Sequence, residues 1–173
     1  LASMPKSPIS RLVLNDVGPT IEAGAIARIG TYLGAPVRWR SLDEAADYLL
    51  SISKGFGPHS REQWLALTRP MLVADGDGFV PHYDPAIGVP FRAVTPELAA
   101  AGQAALWHGY DAIACPTLLL RGAESDLLSR ETALAMTGRG PRARLVEFAG
   151  IGHAPTLVAP DQVAVVREFL LSP

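Results

Sequence analysis

The sequence predicts an α/β fold: three short strands in one parallel sheet, helices on its faces, and a long, mainly helical insert after the first strand. Three observations lead there. Apolar runs rich in Leu and Val recur at residues 11–15, 116–121 and 143–148, each stopped by glycine or turn residues. The later runs alternate with segments that carry helix-capping signatures, and strands alternating with helices imply a parallel sheet. The insert between the first run and the second is about ninety residues long, too many for a plain crossover.

The elements follow in order. Residues 1–8 (Leu-Ala-Ser-Met-Pro-Lys-Ser-Pro) read as the last turn of a helix before Pro5 and a loop. They show no charged region followed by an apolar core, so they are not a signal peptide. Residues 11–15 read as a buried strand that stops at Asp16, Gly18 and Pro19. Ile21, Ala25, Ile29 and Leu33 then recur every four positions and share one helix face, with Glu22 and Arg28 off it. Ser41 with Glu44, and Ser60 with Gln63, have capping-box spacing and open two helices. Asp75-Gly76-Asp77-Gly78 is a hairpin-type turn between residues 71–74 and 79–82. Thr95 starts a helix reaching about Trp107. Pro-Thr-Leu-Leu-Leu-Arg over 116–121 is a strand, and Ser129 caps a helix ending near Gly138. Residues 143–148 are a strand, and Pro160 opens a last helix with Val163, Val166 and Leu170 on one face. Residues 1–18 and 108–173 thus form a partial α/β core, and 19–107 a helical cap.

Composition narrows the function classes. The chain has 173 residues, 49% of them hydrophobic, with a net charge of −2. That permits a real core and gives no basic stripe for nucleic acid. No apolar run is long enough to span a membrane. The lone Cys115 cannot form an internal disulfide, which favours a reducing, cytoplasmic setting. His59, His82 and His108 lack metal-ligand spacing, and neither a metal nor an organic cofactor is implied.

In open parallel sheets, chemistry gathers just past the C-terminal ends of strands. Three such ends are available: Asn15 and Asp16; Glu124, Ser125 and Asp126; and His153 within Gly-Ile-Gly-His-Ala-Pro over 150–155. An acid facing the histidine would accept its Nδ1–H and fix the tautomer, leaving the other ring nitrogen as a base. Asp126 and His153 stand on consecutive strand ends. Asp16 is the rival acid, with turn chemistry before Gly18-Pro19 the preferred explanation of it. Trp39, Trp64, Trp107, Phe56, Phe79 and Phe91 are either core of the cap or lining of an apolar pocket.

Leu-Val-Leu-Asn-Asp-Val-Gly-Pro over 12–19, Cys-Pro-Thr-Leu-Leu-Leu-Arg-Gly over 115–122 with Ser125-Asp126, and Gly-His-Ala-Pro over 152–155 together resemble successive segments of the α/β-hydrolase superfamily. The resemblance covers essentially the whole chain. It implies a hydrolase of small ester, lactone, thioester or carbon–carbon substrates with a Ser–Asp–His triad, of which Asp126 and His153 would be the acid and the base. The family's Gly-x-Ser-x-Gly elbow is absent, so the serine is expected upstream of Leu1. The 173 residues alone would then be inactive and would need the missing N-terminal half or self-association to cover the first strand's edge. Two alternatives stand beside this reading. One is a non-catalytic relative that binds or senses a small molecule. The other is an unrelated doubly wound domain.

Overall fold

The computed structural model describes residues 1–20, 22–92 and 96–172. Strands β1 (Leu12–Asn15), β4 (Thr117–Gly122) and β5 (Arg144–Phe148) form one parallel sheet in the order β1-β4-β5. Leu12 pairs with Thr117, and Leu118 pairs with Arg144. Between β1 and β4 the chain makes α1 (Ala23–Tyr32), α2 (Leu42–Ile52), α3 (Arg61–Thr68), a hairpin of β2 (Leu72–Asp75) and β3 (Gly78–Pro81), α4 (Val89–Arg92) and α5 (Pro96–Asp111). Helices α6 (Arg130–Gly138) and α7 (Pro160–Leu171) flank β5 in sequence. The expected helix start at Thr95 lies outside the described residues. So do Ile21 and the side chain of Phe91.

β4 is the centre, and every residue of it is buried. Its side chains alternate between two faces. Leu119 packs with Tyr110, Leu128, Ala133 and Met136 on the side of α5 and α6. Leu118 and Leu120 pack with Phe148, Ile151 and Phe169 on the side of α7. A strand buried on both faces reads as a continuous apolar run, and Leu-Leu-Leu is that run. Arg121 is also buried, and its charge is answered. It donates to the Leu128 and Ala123 carbonyls and to Glu147 Oε1 at 2.8 Å.

The caps follow the sequence closely. Ser60 and Gln63 make both halves of a capping box. Ser41 accepts from Glu44 N–H, while Glu44 reaches back to the N–H of Arg40, one residue before the cap. The hairpin turn is Gly76-Asp77, with Asp75 opposite Gly78. Gly76 takes φ +57°, the left-handed region a tight hairpin turn requires.

Two expectations are corrected. Residues 1–7 form consecutive turns, Met4 N–H to the Leu1 carbonyl and Ser7 N–H to the Met4 carbonyl, with no helix. The inner face of α7 carries Gln162 and Phe169 with Val165 and Val166, whereas Val163 and Leu170 are exposed. Gln162 shifts the face because it is buried for a polar reason: its Oε1 accepts the Leu157 N–H.

Candidate active site

Asp16 follows β1 directly and is completely buried. Its N–H extends the sheet ladder to the Leu120 carbonyl at 2.8 Å, after which the backbone turns through φ +55°. A non-glycine residue held there marks a position that the surroundings over-determine. The side chain explains what holds it. Asp16 Oδ1 accepts the Gly122 N–H at 3.0 Å, and Oδ2 accepts the Ser125 hydroxyl at 2.5 Å.

His153 completes the group. Its Nδ1 lies 2.8 Å from Asp16 Oδ2. With an ionised acid as acceptor, Nδ1 carries the proton and donates, so Nε2 is the free lone pair of the neutral ring. The ring is about a quarter exposed. Asn15, beside the acid, donates from Nδ2 to the Pro155 carbonyl at 2.9 Å and ties the histidine loop to β1.

β1 and β5 are not neighbours, so the histidine loop must cross the end of β4 to reach Asp16. Gly122 makes that crossing feasible. A Cβ at Gly122 would collide with the carbonyl oxygens of Ile151 and Gly152. The loop is held down further by Ile151 carbonyl accepting from Glu124 N–H at 2.9 Å.

The expected Asp126–His153 pair is not formed. Asp126 Oδ2 instead meets Arg28 of α1 at 2.6 Å, with both side chains roughly half exposed. The physical reason is which residue of the loop after β4 turns inward. Its Ser125, one residue earlier, is turned inward to Asp16, which leaves Asp126 facing solvent and α1. Glu124 is exposed, as are His82 and His108. Among the described residues, no group of three His, Cys, Asp or Glu side chains is gathered as a metal would need.

Among the described residues, hydrogen bonds tie the insert to the histidine loop. Gly152 N–H donates to the Gly55 carbonyl at 2.5 Å. His59 donates from Nδ1 to the Gly57 carbonyl at 2.9 Å, which leaves Nε2 to accept the Thr156 hydroxyl at 2.7 Å. His59 therefore anchors the insert to the histidine loop, a role that nothing in its sequence surroundings signals. Next to this contact, Phe56 helps to line a cavity of about 220 Å³ with Tyr32, Trp39, Tyr48, Ile52 and Met71. Burial, the largest influence, pushes the Tyr32 phenol above its ordinary pKa, which keeps that wall neutral. Trp39 and Phe56 are thus pocket lining. Trp64 is buried and stacks on Phe56 at 6.1 Å, and Trp107 packs edge-on against Tyr110.

No family profile matches the chain. It is 49% identical, over 98% of its length, to the 3-hydroxybutyrate-oligomer hydrolase of Cupriavidus necator, and spans 59% of that protein. An α/β-hydrolase structure from Novosphingobium aromaticivorans superposes with a TM-score of 0.78 at 34% identity, over 94% of this chain and 56% of that one. E-2-(acetamidomethylene)succinate hydrolase, at 18% identity, shares the fold with a TM-score of 0.76, over 99% and 61% of the two chains. The chain thus spans little more than half the length of the relatives it matches. Its fold is that of the α/β-hydrolases, as the sequence resemblance implies, and the unrelated doubly wound domain is set aside.

Proposed function

We propose that this α/β-hydrolase chain supplies the acid and the base of a serine esterase that cleaves short oligomers of a hydroxy acid such as 3-hydroxybutyrate. One observation carries the reading: a fully buried carboxylate, Asp16, holds His153 by Nδ1 at 2.8 Å and leaves Nε2 directed to chemistry. The substrate class is supported by the 49% identical oligomer hydrolase of Cupriavidus necator. A single Cys115 fits a reducing cytoplasmic setting.

In this reading a serine preceding Leu1 attacks the ester carbonyl and passes its proton to His153 Nε2. The imidazolium, stabilised by Asp16, returns that proton to the departing alcohol as the acyl-enzyme forms. Water then attacks the acyl-enzyme, with His153 again taking a proton and giving it back to the serine. Residues 19–107 act as the cap, and the cavity beside Phe56 receives the apolar part of the substrate. The outer edge of β1, beside an apolar groove that includes Leu14, Val17 and Leu106, takes the upstream part of the same polypeptide.

The test uses the complete protein and the linear dimer of 3-hydroxybutyrate. The expected result is release of two monomers per dimer, abolished by a fluorophosphonate and by His153→Ala. Hydrolysis that survives His153→Ala, or a folded protein without esterase activity, refutes the reading.

A further inference from the structure

Asp16 is shared by three donors, and one of them has no freedom to be anywhere else. Ser125 Oγ accepts the Leu127 N–H at 3.2 Å and the Leu128 N–H at 3.1 Å. A hydroxyl has two lone pairs and one proton. With both lone pairs engaged, its proton is committed to Asp16 Oδ2 at 2.5 Å. The two N–H groups open the chain segment that leads to the Ser129 cap of α6, so their positions are set by the core around Leu128.

We propose that Ser125 is a positioning residue for catalysis: it locks the Asp16 carboxylate plane so that Oδ2 meets His153 Nδ1. The inference rests on the esterase reading above. The geometry supports it in two ways. Gly122 N–H alone, on Oδ1, would let the carboxylate pivot about that bond. Ser125 adds the second fixed point, on the same oxygen that His153 uses. A carboxylate pinned at both oxygens cannot swing away when the imidazole becomes charged, and such preorganised groups cost no rearrangement during the reaction.

Ser125 acts through Asp16 and touches no substrate, so its test reads that route. In the complete protein, Ser125→Ala is expected to lower kcat by about 10- to 100-fold with KM little changed, the range typical of groups that orient a catalytic ligand. Ser125→Thr, which keeps the hydroxyl, is expected to restore most of the rate. In an Asp16→Asn background, Ser125→Ala is expected to cost little further. If Ser125→Ala does not fold, Ser125→Cys, with its weaker donor, carries the same measurements. An unchanged kcat, a loss confined to KM, or an equal loss in both backgrounds overturns the proposal. Parent activity abolished by His153→Ala but untouched by Ser125→Ala overturns this inference alone. Parent activity that survives His153→Ala removes the reading beneath it.

Discussion

Replacing Asp16 by asparagine separates the two candidate acids, because the amide has one acceptor where the carboxylate has two. Gly122 N–H needs an acceptor at the Oδ1 position, while Ser125 O–H and His153 Nδ1–H need one at Oδ2. With the amide oxygen at Oδ2, its NH₂ group faces the buried Gly122 N–H. With the oxygen at Oδ1, the NH₂ faces the Ser125 hydroxyl, which cannot turn because Leu127 and Leu128 hold its lone pairs. His153 must then accept at Nδ1 and carry its proton on Nε2, the tautomer that cannot act as the base. Either orientation leaves a buried donor unanswered, which costs about 1–3 kcal/mol of stability. The rate falls more, on the order of 10³- to 10⁴-fold in kcat, because the imidazolium loses its counter-charge or the base its tautomer. The matching control is Asp126→Asn. It breaks only a half-exposed ion pair with Arg28, worth about 0–1 kcal/mol, and leaves kcat within about three-fold. Ester hydrolysis by the complete protein, with urea unfolding of each variant, decides the matter. Near-parental kcat in Asp16→Asn, together with collapse in Asp126→Asn, would refute the argument and return the acid to Asp126.

Other perturbations test the supports. Gly122→Ala drives a methyl group into the Ile151 and Gly152 carbonyls, and is expected to displace His153, lower kcat and destabilise by about 1–3 kcal/mol on urea unfolding. His59→Ala releases the insert from Thr156; hydrogen exchange is expected to rise at residues 54–60 and KM to increase, with the Asp16–His153 contact intact. Glu44, Asp77 and Asp111 are each held below the ordinary carboxylate pKa, chiefly by hydrogen bonds from the Arg40 backbone, Arg38 and Arg139 respectively. Groups depressed on folding stabilise above their unfolded values and lose that contribution as pH falls through the folded ones. Urea midpoints are therefore expected to be flat from neutrality to about pH 5 and to drop below about pH 4.

The strands and caps were legible because their signals are local. Leu-Leu-Leu before Gly122, and Ser60 three residues before Gln63, each state their own structure. The glycine-framed loop that carries His153 past the end of β5 was legible too. The carboxylate that His153 contacts was not. Adjacent strand ends in sequence, β4 and β5, pointed to Asp126, but the loop after β5 leans across β4 to the end of β1. The one clue was Gly122, the residue without a side chain at the crossing point, and it reads equally well as a simple strand stop. Arg28 lies 98 positions from Asp126, and no spacing rule announces a partner at that distance. The inner face of α7 was missed by one position because Gln162, a polar residue, belongs to it.

The long stretch of chain between β1 and β4 has a consequence for how the protein is made. Asp16 and His153 stand 137 positions apart in a chain of 173 residues. Bringing such distant points together carries a loop-closure cost, and contacts of this range form late in folding. The pair also depends on β4 being seated between its neighbours and on the loop after β5 being closed over Gly122. A misassembled chain would therefore lack the Asp16–His153 contact. On refolding of the complete protein, recovery of the proposed ester hydrolysis is expected to trail recovery of helical signal, because the Asp16–His153 contact needs β1, β4 and the loop after β5 all in place.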